Sequence, residues 1–320
     1  MGVPLPNPSS VVLLGAQRFN PYLREAVDAL GITGRIATIT AGWQERETDD
    51  DDLVQHLDGR AVNLRLHARG DEVFRDDPEL HSAHRERQEL LRDLQDVYRV
   101  RLESALDAER ILRERKTPLA IRDEIEAAAL QSIRDLDLWH LEQCARLRHE
   151  LDARLKPMKR PALRRHREEL STQLADCDAV AIAGGHVATL VNRLRLFGIA
   201  DLVGTRPVFA WSGGAMVVSE RIVLFHDDPP QGPGATEVLD AGLGLVKDVV
   251  VLPQPEHRLH LDNMDRVRLM ARRFAPAMCL AFPARSHAVW QRDVGPVKAR
   301  GVDRLREDGC HTAFEPGDAT

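Results

Sequence analysis

The sequence predicts an α/β protein: a mostly parallel sheet with helices on both faces, interrupted by a long α-helical insertion. Three observations predict it. Near the start, an apolar β-rich run, a helical segment and a second apolar run follow one another within about 40 residues, the opening of a parallel α/β sheet. From about Asp76 to Leu174 the spacing changes to that of long amphipathic helices. From Asp178 the alternation of short apolar runs and helical segments returns. The expected organisation is residues 1–75 as the first part of the α/β domain, 76–174 as the helical insertion, and 175–320 as the second part.

Taken in order, Ser10 to Ala16 (SVVLLGA) reads as the first strand. NPYLREAVDALG follows with Leu23, Val27 and Leu30 on one face and Gly31 as a helix C-cap. GRIATITAGWQE reads as a second buried strand. In the insertion, Leu91, Leu94, Val97, Tyr98, Leu102 and Leu106 form an apolar stripe among alternating charges, with a break near Thr117-Pro118, where Pro suits the first turn of a new helix. That stripe fits packing between the insertion's own helices or a dimerisation surface. After it, DAVAIAGGH is a strand ending in a glycine pair, VATLVNRLRLFGI a helix, RPVFAWSGGA a strand running into a tight turn, and DVVVLP another strand; MCLAFPA and HAVWQ are expected to close the sheet.

Composition bounds the function. The chain has 320 residues, 43% hydrophobic, 29% charged and 4% aromatic, with a formal charge of −6. This is a folded chain, and its acidic balance argues against a nucleic-acid partner, which needs clustered Lys and Arg. The basic run Arg154 to Arg167 reads as a solvated helix end or linker. No apolar stretch approaches the ~20 residues of a bilayer crossing, so no membrane partner is expected, and the opening residues carry no signal-peptide pattern. Cys144, Cys177, Cys279 and Cys310 are scattered, fitting neither a metal knuckle nor a disulfide framework, which points to a cytoplasmic location. HLEQC, His140 to Cys144, lacks the second cluster a metal site requires, so no metal is expected.

Chemistry concentrates at Val208 to Ala215, VFAWSGGA. Ser212 stands between a buried strand and a helix, flanked by small residues, the layout of a nucleophile elbow; a serine that merely caps a helix has the same local pattern. Gly184 and Gly185, at the end of another strand, could offer N–H groups to an oxyanion or could simply make a tight turn.

AIAGGHVATLVNRLR, FAWSGGAM and LDAGLGLVKDVVVLP, in this order, resemble the peptidase E and cyanophycinase family, serine peptidases built on a class I glutamine-amidotransferase-like fold. The first motif carries one extra residue before Thr189, the second has Gly213 where alanine is usual, and Gly242-Leu243-Gly244-Leu245 is intact. The resemblance spans about Asp178 to Pro283 and leaves the insertion uncovered. It implies Ser212 as nucleophile, Gly185 and the Gly213 N–H as the oxyanion hole, and Asp227, flanked by His226 and Asp228, as the acid that orients the base.

The family's base is a histidine directly after the strand that follows GLGL. Here Gln254 occupies that position, and glutamine cannot accept a proton at neutral pH. His257 and His260 follow close behind, and His257 is the expected replacement. Gln254 and Arg258 are the expected substrate-binding residues; Arg221 and Arg285 are further cations that could meet an acidic substrate group.

The sequence therefore points to a serine hydrolase that cleaves a small peptide or amide substrate, by resemblance next to aspartate, without a cofactor and with the insertion available for homo-oligomer formation. A relative that has lost catalysis and binds a ligand or partner through the cleft and arm is the alternative. An amidotransferase would carry cysteine at the elbow, and Ser212 argues against it.

Overall fold

The computed structural model describes residues 8–18, 21–115, 118–227 and 235–319. The first half runs β1 (Ser10–Leu14), α1 (Leu23–Ala29), β2 (Ile36–Ile39), α2 (Asp51–His56), β3 (Ala61–Asn63) and α3 (Leu66–Asp76). The helical segment follows as α4 (Pro78–Glu114), α5 (Leu119–Leu155) and α6 (Pro161–Ala175). The chain then forms β4 (Ala179–Ile182), α7 (Val187–Leu196), α8 (Ile199–Val203), β5 (Val208–Trp211), α9 (Gly213–Val218), β6 (Arg221–Leu224) and β7 (Glu237–Ala241). It closes with β8 (Val249–Pro253), α10 (Pro255–Arg258), α11 (Met264–Phe274), β9 (Met278–Phe282), β10 (His287–Gln291), β11 (Gly295–Arg300), β12 (Asp303–Leu305) and β13 (His311–Ala313).

The main sheet has the order β11-β10-β1-β5-β4-β2-β3. The strands from β1 to β3 in that order are parallel, and β10 and β11 add antiparallel at one edge. Alternation along each strand divides its residues between two cores. Val11, Leu13, Val180, Ile182, Val208 and Ala210 face one side. Val12, Leu14, Ala179, Ala181, Phe209 and Trp211 face the other, against Leu23, Ala26 and Val27 of α1. A parallel sheet covered on both faces leaves only the ends of its strands open, so a ligand is expected at their carboxyl ends.

MCLAFPA does not close this sheet. It forms β9, which pairs in parallel with β8 and antiparallel with β12 in a separate sheet of order β13-β12-β9-β8, while β6 and β7 make a two-stranded ribbon. HAVWQ, as β10, does join β1, with Ser10 opposite Gln291.

Helix starts follow the residues. Asp77 caps α4 by accepting from Leu80 N at 3.0 Å, with Pro78 in the first turn. Gly31, at φ 68°, ends α1 in the left-handed conformation that glycine adopts without strain. Pro118 stands one position earlier than expected, as the cap before α5 rather than inside its first turn, and Thr117 lies outside the described residues.

On α4 the buried positions are Leu80, Ala83, His84, Gln95, Tyr98 and Leu102, whereas Val97 is exposed. Gln95 replaces Val97 in the stripe because its amide donates to Glu237 Oε2 at 2.9 Å. Tyr98 Oη donates to Asp137 Oδ1 at 2.8 Å and accepts from Val238 N at 3.0 Å and from Arg273 Nη2 at 2.9 Å. Arg273 also grips Asp137 at 2.6 and 2.7 Å, with both side chains almost fully buried. This knot joins α4, α5, β7 and α11, so the helical segment is bonded into the α/β body and its apolar stripe is not confined to helix–helix packing. His140 and Cys144 of HLEQC serve the same packing: the His140 ring stacks on Tyr98, and its Nε2 faces Leu239 O at 3.2 Å.

Candidate functional site

The carboxyl ends of β2, β4 and β5 meet at glycines. A Cβ on Gly42 would lie 2.4 Å from Gly184 O, and one on Gly185 would lie 2.4 Å from Gly42 O. One on Gly184 would lie 2.7 Å from Ser212 Cβ and 2.9 Å from Gly213 N. These are backbone approaches that no larger residue permits, since a Cβ essentially never comes that close to main-chain atoms. They fix the loop Gly184 to His186 directly against the turn that carries Ser212.

Ser212 holds φ 50°, ψ −127°, a conformation that residues with a Cβ avoid. Its strand β5 pairs with β1 and β4, and α9 starts immediately behind it, so the turn is held from both sides. Ser212 is half-buried, while Gly185 and His186 are exposed, leaving the hydroxyl reachable from solvent. Among the described residues the N–H groups of Gly185 and Gly213 donate to no main-chain carbonyl, and neither the Ser212 hydroxyl nor the His257 ring makes a hydrogen bond.

A second residue of the site, Gln44, has nearly the same strained backbone, φ 59°, ψ −126°. Its Nε2 donates to Thr189 Oγ1 at 3.2 Å, and Thr189 in turn pairs with His186 Nδ1 at 2.9 Å. His186 caps α7, Nδ1 accepting from Thr189 N at 3.2 Å. An Nδ1 that accepts from a main-chain N–H leaves the neutral ring's proton on Nε2, so His186 presents a donor rather than a base to the cleft. Gln44 and His186 were not singled out by sequence. The signal for His186 lay in the extra residue of the GGH motif; for Gln44 there was none, because its backbone conformation follows from the approach of Gly42 to the glycine pair.

The remaining predicted residues sit on two loops that touch each other. Asp227 N donates to Arg258 O at 2.9 Å, tying the end of β6 to α10. The Asp227 carboxylate accepts from Arg266 Nε at 2.9 Å, Arg266 Nη2 at 2.7 Å and His260 N at 2.8 Å. It is thus engaged by Arg266 and is not hydrogen-bonded to the His257 ring. Asp228 lies outside the described residues; His226 buries its Nδ1 without a hydrogen-bond partner among them. Gln254 follows β8 in a left-handed turn, φ 56°, ψ 50°, and accepts from His257 N at 3.2 Å. His257 and Arg258 are exposed on α10. Arg221 opens β6 on the far side of α9 from Ser212, about 9 Å of helix away. Arg285 lies beyond β9, its guanidinium 6.0 Å from the Tyr22 ring centre.

Burial pushes the Cys144 and Cys279 thiols up to about 12 and also raises that of Cys177. None of these three provides a thiolate nucleophile at neutral pH. Among the described residues no group of three or more His, Cys, Asp and Glu side chains is placed to hold a metal, and no helix is long and apolar enough to cross a membrane.

No protein-family model and no curated protein matches the chain. Among solved structures, a peptidase from an acI-B1 actinobacterium is similar at 13% identity and a TM-score of 0.47, over 96% of this chain and 98% of that one. A putative peptidase E protein from Listeria monocytogenes EGD-e is similar at 16% identity and a TM-score of 0.27, over 43% of this chain and 65% of that one.

Proposed function

We propose that the protein is a serine hydrolase of the peptidase E-like type that cleaves a peptide or amide bond with Ser212 as nucleophile. The observation that carries this reading is the Ser212 backbone, φ 50°, ψ −127°, at the carboxyl end of a central strand and against Gly184. A strained serine between strand and helix is the geometry that exposes a nucleophilic hydroxyl.

In this reading the Ser212 Oγ attacks the carbonyl carbon, and the oxyanion accepts from the N–H groups of Gly213 and Gly185. The hydroxyl proton passes to His257, which returns it to the departing amine; water then releases the acyl group by the same route. Gln254 and Arg258 hold the substrate, the guanidinium matching an acidic group beside the scissile bond.

A second reading is favoured by one observation: the Asp227 carboxylate is taken up by Arg266 and the His260 N–H. Without an acid to orient it, the His257 ring is not held toward Ser212, and the cleft would then bind a ligand without turning it over.

Reaction with a fluorophosphonate probe, located by mass spectrometry, separates the two. Labelling of Ser212 that disappears in Ser212→Ala and falls steeply in His257→Ala supports the hydrolase. Labelling retained in His257→Ala but lost in His226→Ala moves the base to His226. Folded protein that never labels leaves the binding reading.

A further inference from the structure

A cavity of about 600 Å³ lies between α4, the end of α5 and the carboxyl end of α7, and it is unrelated to the serine. Its α7 wall, Leu194 to Leu196, is about 12–15 Å along that helix from His186. Five cations line it, Arg87, Arg148, Arg195, Lys156 and Lys159, against one lining carboxylate, Asp152. Leu80, Leu151, Leu194 and Leu196 supply an apolar wall.

Those cations are unevenly satisfied. Arg148 and Arg195 share the single carboxylate of Asp240, at 2.6 and 2.5 Å. Arg87, with only 13% of its side chain exposed, reaches Asp152 no closer than 3.9 Å. Its Nη2 meets His84 Nδ1 at 3.0 Å, and its Nε is buried with no hydrogen-bond partner. Burial holds the Arg87 guanidinium below the usual arginine range, and the charges of Arg148 and Arg195 press the same way. Among the described residues the Lys156 and Lys159 ammonium groups have no acidic partner within ion-pair distance. A mostly buried guanidinium that lines a partly apolar cavity with excess positive charge, and whose nearest carboxylate is 3.9 Å away, lacks a close anion.

We propose that this cavity binds a small organic anion, an aliphatic body carrying one carboxylate or phosphate group, with the anionic end on Arg87 and the body against Leu151 and Leu196. The site is separate from Ser212 and holds whether or not the serine is catalytic.

Isothermal titration of the full chain with octyl phosphate and with octanoate tests it, with octanol and inorganic phosphate as probes lacking one half of the ligand. One anion bound per chain, with both half-ligands weaker by about tenfold or more, is the expected result, since a hydrogen-bonded charge contributes roughly that factor. Preference between the two anions identifies the head group. Arg87→Gln is expected to weaken binding about tenfold, and Lys156→Asn with Lys159→Ser, both at exposed positions, several-fold with a shallower salt dependence. The lysine variant decides the matter if Arg87→Gln does not fold. Octanol binding as tightly as the anions, no saturable anion binding, or full affinity in the folded variants would overturn the proposal.

Discussion

Replacing Ser212 by glycine is expected to raise the protein's stability while removing the hydroxyl proposed as its nucleophile. Ser212 holds φ 50°, ψ −127°, and a residue with a Cβ kept in such a region costs about 1–3 kcal/mol. Glycine adopts it without that penalty but loses more freedom on folding, which returns about 0.5–1 kcal/mol. The net gain is about 0–2.5 kcal/mol. With an unfolding entropy of roughly 2.1 cal/mol/K per residue, a chain of 320 residues shifts by about 1 °C for each 0.7 kcal/mol, so Tm should rise by up to about 4 °C. Ser212→Ala keeps the Cβ and the strain, and should lose the hydroxyl without that gain. Calorimetric melting of the wild type and the two variants side by side is the assay. A glycine variant that melts no higher than the alanine variant would refute the reasoning, because the turn would then carry no strain for glycine to release.

Gly184→Ala should abolish probe labelling at Ser212 and cost about 1–3 kcal/mol of stability, because its methyl would lie 2.7 Å from Ser212 Cβ and 2.9 Å from Gly213 N; a variant that labels normally would show the two turns are not in contact. Arg273→Met leaves Asp137 buried without a counter-charge, with Tyr98 Oη as its remaining partner, a loss of about 3–5 kcal/mol that Asp137→Leu in the same chain should partly restore, read from urea midpoints. Burial, with Arg87 next in effect, pushes the His84 pKa from 6.5 down to about 3. The unfolded chain therefore binds a proton that the folded one refuses, so the stability of the neutral form is complete above about pH 6.5 and is lost as pH falls towards 3. Between pH 7 and pH 5 the wild type should lose about 2 kcal/mol more than His84→Gln, and equal losses in urea melts would contradict it.

What could be read from sequence was local. β1, β2, β4 and β5 declare themselves as short apolar runs because both faces of each are buried, and the small residues around Ser212 announce the turn that only small residues fit. Strand type, however, says nothing of partner: DVVVLP and MCLAFPA read as strands of the main sheet, yet they pair with each other and with β12. The edge strands β11 and β13 were missed because none of their residues is buried and neither carries an apolar run to mark it. Arg266 was missed as the partner of Asp227 because 39 residues separate them. Gln95 was skipped in favour of Val97 because its burial depends on Glu237, which lies 142 residues further on.

The position of β1 in the sheet bears on how the chain must assemble during synthesis. Both neighbours of this first strand come late: Val11 pairs with Val208, and Ser10 with Gln291. At roughly 5–20 residues per second, the apolar run SVVLL emerges about 10–40 s before β5 and about 15–60 s before β10. Until then both of its edges lack their native partners, and only the face carrying Val12 and Leu14 can be covered, by α1. The nascent chain thus carries an aggregation-prone strand until β5 and β10 have been made, and the helical hairpin of α4 and α5, made of contacts local in sequence, can fold while that strand waits.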